Sequence, residues 1–382
     1  MKKVLSGNEL TLFFEGELNS YNCEAVEKEI EALVKGETFS RLILDFASLR
    51  YISSAGLRII LKLKQKYGQV CVVEASLEVY DVLSMTGFVN IMPVSKALKR
   101  IDITNAKVVG DGFFSTVYRI DKDTIIKVFN RVSDTDQIER ELRLAKQAFV
   151  LGIPTAISFD IVRVGEKLGV RFEMLDCQSL QEAFIGYPDR YDEFVKKYAD
   201  LLKRINATDC MDPSLPSAKA HWLAKVDALK PYLEPRQFAK LRSLFEGLED
   251  SMNFVHGDCH FKNIMVQGDD FLLIDMDTLS RGEAIFELAA IRAPYVAFEE
   301  DDPGNSERFL HVSTDFAKKL YNDIVDLYLG KNDPAAKDKI ALVCYAHMMW
   351  WTLLNQKENT KRFEGCKSRL LPLLEKYDDL KL

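Results

Sequence analysis

The chain has 382 residues, a formal net charge of −7, 47% hydrophobic residues and 29% charged residues. That length exceeds the usual size of a single core, so two or three domains are expected. The acidic balance argues against nucleic acid or an anionic membrane as the main partner. No apolar run reaches the roughly 18–20 residues that span a bilayer, and the start turns polar too soon for a signal peptide; a cytoplasmic protein with no membrane span is the expectation. Cys23, Cys71, Cys177, Cys210, Cys259, Cys344 and Cys366 are scattered without a Cys-x-x-Cys pair and read as reduced thiols. Cys259 and His260 raise the question of zinc, but no second ligand pair has metal spacing.

In chain order, residues 10–14 predict a strand, 21–34 a helix with Ala25, Val26, Ile30 and Leu33 on its apolar side, and 41–45 a buried strand. A loop over 49–52 leads into a helix over 56–67, with Ser53 and Ser54 at the cap position before it. Residues 69–74 predict a strand, 77–85 a helix, and 95–100 the tail of a last helix. Alternating strands and helices of this size imply a small α/β domain. On the 56–67 helix, Arg58, Lys62 and Lys66 form a basic stripe, read as a solvated face or a docking edge.

The run from Leu44-Asp45-Phe to Ser53-Ser54-Ala-Gly-Leu57, preceded by Phe14-Glu-Gly-Glu-Leu-Asn19, resembles the signature of STAS domains, the fold of anti-sigma-factor antagonists. The resemblance covers about residues 8–100 and implies a regulatory or docking domain with a possible protein partner. It also implies phosphorylation of the serine at the helix start, which here is Ser54. Asn19 and Ser53 stand where many antagonists carry aspartate. A phosphate on Ser54 would rest on free N–H groups at the helix start while adding about two negative charges to the surface.

Beyond a boundary near residue 101, Gly110 and Gly112 lie two apart between predicted strands, with Ser115 after them. Such a hairpin can bring backbone close to phosphates. It is neither a Walker loop, since no Gly-Lys-Ser/Thr follows, nor a dinucleotide fingerprint, since a strand follows. Lys127 falls inside the apolar strand 125–129, where its ammonium needs an anion. The next helix, 137–149, offers Glu139 and Glu141, of which Glu141 borders the apolar face. Residues 170–180 read as a strand, a connector containing Met174 and a helix start. Residues 180–250 are largely helical, and Met348 to Trp351 read as core of a later helix. The acidic run Glu299 to Asp302 reads as a solvated loop.

The densest polar cluster is His256-Gly-Asp258-Cys-His260-Phe-Lys-Asn263, set between apolar runs, with Asp275-Met-Asp277 closing the next apolar run. A carboxylate, an amide and a second carboxylate on strand ends can deprotonate an alcohol and hold magnesium, the needs of phosphoryl transfer.

Together these pieces, over about residues 104–382, resemble the aminoglycoside phosphotransferase and choline kinase branch of the protein-kinase-like fold. The resemblance implies an α+β two-lobed domain over 101–382, with the small lobe at about 101–175 and the large lobe at 176–382. It implies ATP and Mg²⁺ as cofactors, Asp258 as base for a small-molecule or protein hydroxyl, and Asn263 and Asp275 as metal holders. Lys127, paired with Glu141, would reach the α/β-phosphates, beneath the hairpin of Gly110, Gly112 and Ser115, and the connector at Met174 would meet adenine. His256 would brace the loop, and Asp277 would assist the metal or cap a helix. Glu287-Leu-Ala stands where the family usually has Asp-Leu-Ala, and no Ala-Pro-Glu segment is present. A non-catalytic, nucleotide-sensing signalling scaffold is the alternative.

Overall fold

The computed structural model describes residues 1–111, 115–130, 135–211 and 213–382. Gly112 lies outside the described residues. The chain divides into two compact units, Met1–Asp102 with Val162–Glu166, and Ile103–Ile161 with Lys167–Leu382.

The first unit holds β1 (Lys2–Ser6), β2 (Glu9–Leu18), α1 (Cys23–Val34), β3 (Arg41–Ile52), α2 (Ser54–Tyr67), β4 (Val70–Ala75), α3 (Leu77–Met85), β5 (Val94–Lys96) and the two-residue β6 (Lys99–Arg100). Strands β1 to β5 form one sheet in sequence order. The β1–β2 pair is antiparallel and the later pairs are parallel. Along β2 and β3 buried Leu10, Leu12, Phe14, Leu42, Leu44 and Phe46 alternate with less buried residues, so the helices cover one face. Two expectations fail here. Residues 49–52 continue β3 rather than forming a loop, because β2 and β3 stay paired through two register shifts. Residues 94–96 are a strand on the β4 edge, where Val94 follows a proline and pairs with Val72, so no last helix forms.

α2 starts where the extended Ser53 accepts a hydrogen bond from Gly56 N at 3.3 Å. Ser53 is therefore the cap, and Ser54 is an exposed residue of the first turn. Gly56 is required by close packing: a Cβ there would lie 2.8 Å from Leu18 Cγ and 2.9 Å from Leu18 O.

The second unit begins with the antiparallel strands β7 (Lys107–Asp111), β8 (Ser115–Arg119) and β9 (Thr124–Phe129). After α4 (Thr135–Val150) and β10 (Ser158–Val164), β11 (Lys167–Glu173) pairs with β9. α4 buries Ile138, Glu141, Leu144, Ala145 and Ala148 along one side, a helical spacing that brings the only acid of the set onto the apolar face. The rest is mainly helical: β12 (Gln178–Ser179), α5 (Leu180–Gly186), α6 (Tyr191–Ala207), α7 (Ala218–Ala228) and α8 (Pro235–Glu246) precede the polar loop. β13 (Phe254–Val255), β14 (Ile264–Gln267), β15 (Asp270–Leu273) and β16 (Ser280–Arg281) frame it. α9 (Ala284–Arg292), α10 (Phe298–Asp301), α11 (Thr314–Leu329), α12 (Pro334–Asn355) and α13 (Thr360–Lys376) complete the large core.

The acidic run is not solvated. Glu299 accepts from Gly304 N, Ser306 N and Thr314 Oγ1, Glu300 meets Arg292 and Tyr345, and Asp301 pairs with Arg369. Met348 and Met349 are core, whereas Trp350 and Trp351 are half-buried against Lys225 and Arg362. No helix among the described residues is long and apolar enough to cross a membrane.

Candidate active site

Two short strand pairs deliver the polar loop. β13 ends at Val255 and β14 starts at Ile264, both buried, so residues 256–263 leave and re-enter the core over a fixed span. β14 pairs with β15, whose end presents Asp275 next to Ile274, and Ile274 N bonds Asn263 O at 3.0 Å. Asp275 adopts a left-handed φ of 66°, a conformation open to Asp and Asn more than to most residues.

Within the loop, Asn263 Nδ2 donates to Asp258 O at 3.0 Å and to Asp258 Oδ2 at 3.1 Å. That fixes the Asp258 carboxylate and turns Asn263 Oδ1 away as an oxygen donor. The enclosing protein, then the charge of Asp275, pushes the Asp258 carboxyl up to about 7, against the bond from Asn263. His256 is fully buried; its Nε2 meets Ile274 O at 3.1 Å and its Nδ1 accepts from Asp258 N at 3.3 Å, which assigns the proton to Nε2. Burial lowers its pKa to about 4, so the ring is neutral. His260 is 3.6 Å from Asp258 Oδ1 through Nε2, and its buried Nδ1 meets no partner among the described residues.

From the small lobe, Lys127 Nζ bonds Glu141 Oε1 at 2.8 Å and Asp275 Oδ1 at 2.6 Å. Burial alone would depress its pKa, but Asp275 and Glu141 hold it above its ordinary value, so it stays an ammonium. Burial pushes the Glu141 carboxyl up, with Lys127 pulling it back. Glu139, the competing candidate, lies elsewhere on α4, lining a surface cleft. Enclosure in the cleft, then Asp275, also raises Asp277.

The structure thus brings together Lys127, Glu141, Asp258, Asn263 and Asp275. Gly110 sits in β7 at a register shift opposite Val117, and Ser115 opens β8 opposite Phe129. Met174 follows β11, and its N–H is taken by Asp123 O at 2.8 Å. Ser54 belongs to the first unit and these five residues to the second.

Sequence reasoning missed the residues that brace the loop. Glu287 on α9, fully buried, accepts from His256 N at 2.6 Å and from Gly257 N at 3.2 Å. Burial pushes its carboxyl up to about 7 against those bonds. Thr278 Oγ1 donates to His256 O at 2.6 Å, and Gly257, at φ 83°, packs against Thr278 where a Cβ would lie 3.2 Å from its carbonyl. Tyr295 Oη accepts from Phe261 N at 2.8 Å, and Tyr198 donates to Cys259 O. The departure at Glu287 was the one visible signal, since a longer acid at that place can reach the loop.

A cleft with an ammonium held between two carboxylates, a carboxylate oriented by an amide, and a rigid loop beneath is equipped for charge-stabilised group transfer. Comparison with known proteins agrees on the class. The phosphotransferase enzyme family model matches residues 105–315, and the STAS domain model matches residues 1–101. The chain belongs to the phosphotransferase enzyme family, with a STAS domain ahead of its two-lobed kinase-like fold. Its first part is 41% identical over 88 residues to BtrV of Bordetella bronchiseptica, named as an anti-sigma factor antagonist, covering 22% of this chain and 74% of that protein. Among solved structures, a choline/ethanolamine kinase family protein from Mesorhizobium loti is 14% identical with TM-score 0.47, covering 71% of this chain and 92% of that one. The ADP-bound aminoglycoside phosphotransferase APH(2'')-Ib is 15% identical with TM-score 0.47, covering 71% and 94%.

Proposed function

We propose that this phosphotransferase transfers the γ-phosphoryl group of ATP, with Mg²⁺, to a hydroxyl acceptor, and that the STAS domain, taken as residues 1–100, regulates or docks it. What supports this is one observation: Lys127 bonds Glu141 and Asp275, and Asn263 bonds Asp258, at 2.6–3.1 Å, with the residue before Asp275 bonded through its N–H to Asn263 O. The small lobe is taken as 101–175 and the large lobe as 176–382.

In this account Asp258, held by Asn263, accepts the proton of the acceptor hydroxyl as its oxygen attacks phosphorus. Lys127, held by Glu141, neutralises charge on the α/β-phosphates. Gly110, Gly112 and Ser115 bring backbone over the phosphates. The Met174 carbonyl and the connector after it face adenine, since the Met174 N–H is already bonded to Asp123. The hard oxygens of Asn263 Oδ1 and Asp275 fit Mg²⁺, as the Asn263 amide nitrogen is committed to Asp258 and a left-handed Asp275 presents its carboxylate to the cleft. Bound magnesium would supply positive charge between the phosphate oxygens.

The acceptor is a small molecule or a protein serine, and Ser54, exposed in the first turn of α2, is the serine proposed. The test is incubation with γ-labelled ATP and Mg²⁺ against a panel of hydroxyl compounds, with Ser54→Ala alongside and peptide mapping of any label. Transfer to a compound or to Ser54 supports the proposal; the absence of Mg-ATP binding and of transfer to every acceptor contradicts it.

A further inference from the structure

On the second unit an open cleft of about 570 Å³ runs along α4. One wall is a stripe of that helix that includes Glu139, Leu142, Arg143, Lys146 and Val150. Its helical spacing sets it beside the buried stripe of Ile138, Glu141, Ala145 and Ala148. From Glu139 to Val150 the stripe runs about 16 Å, or about three turns. The facing wall is Cys210 and Met211, in the segment after α6. Cys210 is fully buried, and its N–H bonds Met252 O at 2.8 Å. Met211 holds a left-handed φ of 50° and donates its N–H to Asp209 Oδ1 at 2.8 Å. Its backbone is tied down while its side chain is 78% exposed.

Val150 is 80% exposed, so each wall carries an apolar side chain in water, and covering both removes apolar area from solvent. Arg143 and Lys146 are exposed between Leu142 and Val150, and neither forms an ion pair among the described residues. Glu139 is the one acid of the lining. The α4 wall therefore sets two cations against one anion, on a chain whose net charge is −7. Because that wall is a helix whose N–H groups are already bonded, it offers no strand edge. An incoming segment has to satisfy its own backbone, and a helix does so. The cleft is also open, so a small ligand would keep much of its surface in water.

We propose that this cleft docks an acidic amphipathic helix of a partner protein. The apolar side chains of that helix cover Leu142, Val150 and Met211, and its carboxylates pair with Arg143 and Lys146. Charge pairs at such a rim set partner choice and encounter rate, while the apolar contacts set residence. The docked helix bridges α4 to the segment after α6. Glu141, next to Leu142 on α4, is thereby held where it bonds Lys127 at 2.8 Å. The docking surface stands on the cleft alone; its effect on transfer rests on the reaction proposed above.

The test uses the full chain and two sets of labelled helical peptides of about 15 residues. Both sets carry Leu or Met at i, i+4 and i+7; the other positions are Glu with Ala in one set and Lys with Ala in the other. Fluorescence anisotropy is expected to show saturable binding for the Glu set only, with a Kd that weakens severalfold between about 50 and about 300 mM salt. Arg143→Glu combined with Lys146→Glu, both at exposed positions, is expected to weaken binding more than tenfold while thermal unfolding stays cooperative. Met211→Asn, which suits φ 50°, is expected to weaken it about tenfold. No saturable binding by the Glu set, equal binding by the Lys set, or binding retained in the charge-reversed variant overturns the proposal. So does sedimentation that shows the chain alone to be a dimer dissociated by Met211→Asn, because a second copy then fills the cleft. In the transfer assay the bound Glu peptide is expected to raise kcat/KM severalfold in the wild type and not in the charge-reversed variant. Binding with an unchanged rate overturns the link to Glu141, whereas transfer absent from every sample contradicts the reaction and not the docking surface.

Discussion

Lys127 Nζ lies 2.6 Å from Asp275 Oδ1, joining a small-lobe strand to the end of a large-lobe strand pair, and the same ammonium holds Glu141 at 2.8 Å. Lys127→Met is expected to cut phosphoryl transfer by about 10²–10³, measured as kcat/KM with the best acceptor. Asp275→Asn keeps an oxygen for Lys127 and tolerates φ 66°, so its urea midpoint should change by less than ~1 kcal/mol in stability while transfer is lost. Full activity in either variant contradicts the assigned roles.

The bonds from His256 N and Gly257 N to Glu287 make a different prediction. Glu287→Gln sets an amide N–H against backbone N–H donors, costing about 1–3 kcal/mol. Urea denaturation checks the stability, and kcat is expected to fall more than nucleotide affinity, because the variant loosens the loop carrying Asp258. Equal stability and unchanged kcat would remove Glu287 as the brace.

In the first unit, Gly56→Ala places a Cβ 2.8 Å from Leu18 Cγ and 2.9 Å from Leu18 O. Overpacking against backbone costs about 1–3 kcal/mol, so the transition of this unit should shift down in thermal unfolding. A Tm equal to wild type would mean that α2 can move away from β2 at little cost.

Lys225 gives a pH dependence. Burial depresses its pKa from an ordinary 10.5 to about 7. Between those values the unfolded chain binds a proton that the native state does not, so native stability rises with pH through that window. Lys225→Met should be more stable than wild type at pH 7 by about 1–4 kcal/mol. The gap should narrow by roughly 2 kcal/mol at pH 9. A gap that does not vary with pH would place the Lys225 pKa outside the window.

What the sequence made legible was local. The polar loop of 256–263 stood out because apolar strands bracket it, and Glu141 because a 3.6-residue period puts it at the margin of the apolar face of α4. What it hid depends on tertiary approach. Glu287 is 31 residues from His256 yet bonds its N–H, and Tyr295 is 34 residues from Phe261. Lys225 Nζ lies 3.0 Å from His347 Nδ1, 122 residues away. The extended edge at Val94 to Lys96 was misread because a short run carries too few residues to separate helix from strand, and only the open side of β4 decides it. Ser53 and Ser54 were equivalent as caps until the backbone showed Ser53 extended and Ser54 already helical.

The most direct measurement compares wild type with Asp258→Asn for Mg-ATP binding and for transfer of labelled γ-phosphoryl to a hydroxyl acceptor. The account predicts similar Mg-ATP affinity in both and transfer slowed by about 10²–10⁴ in the variant. Transfer at the wild-type rate in Asp258→Asn would contradict it.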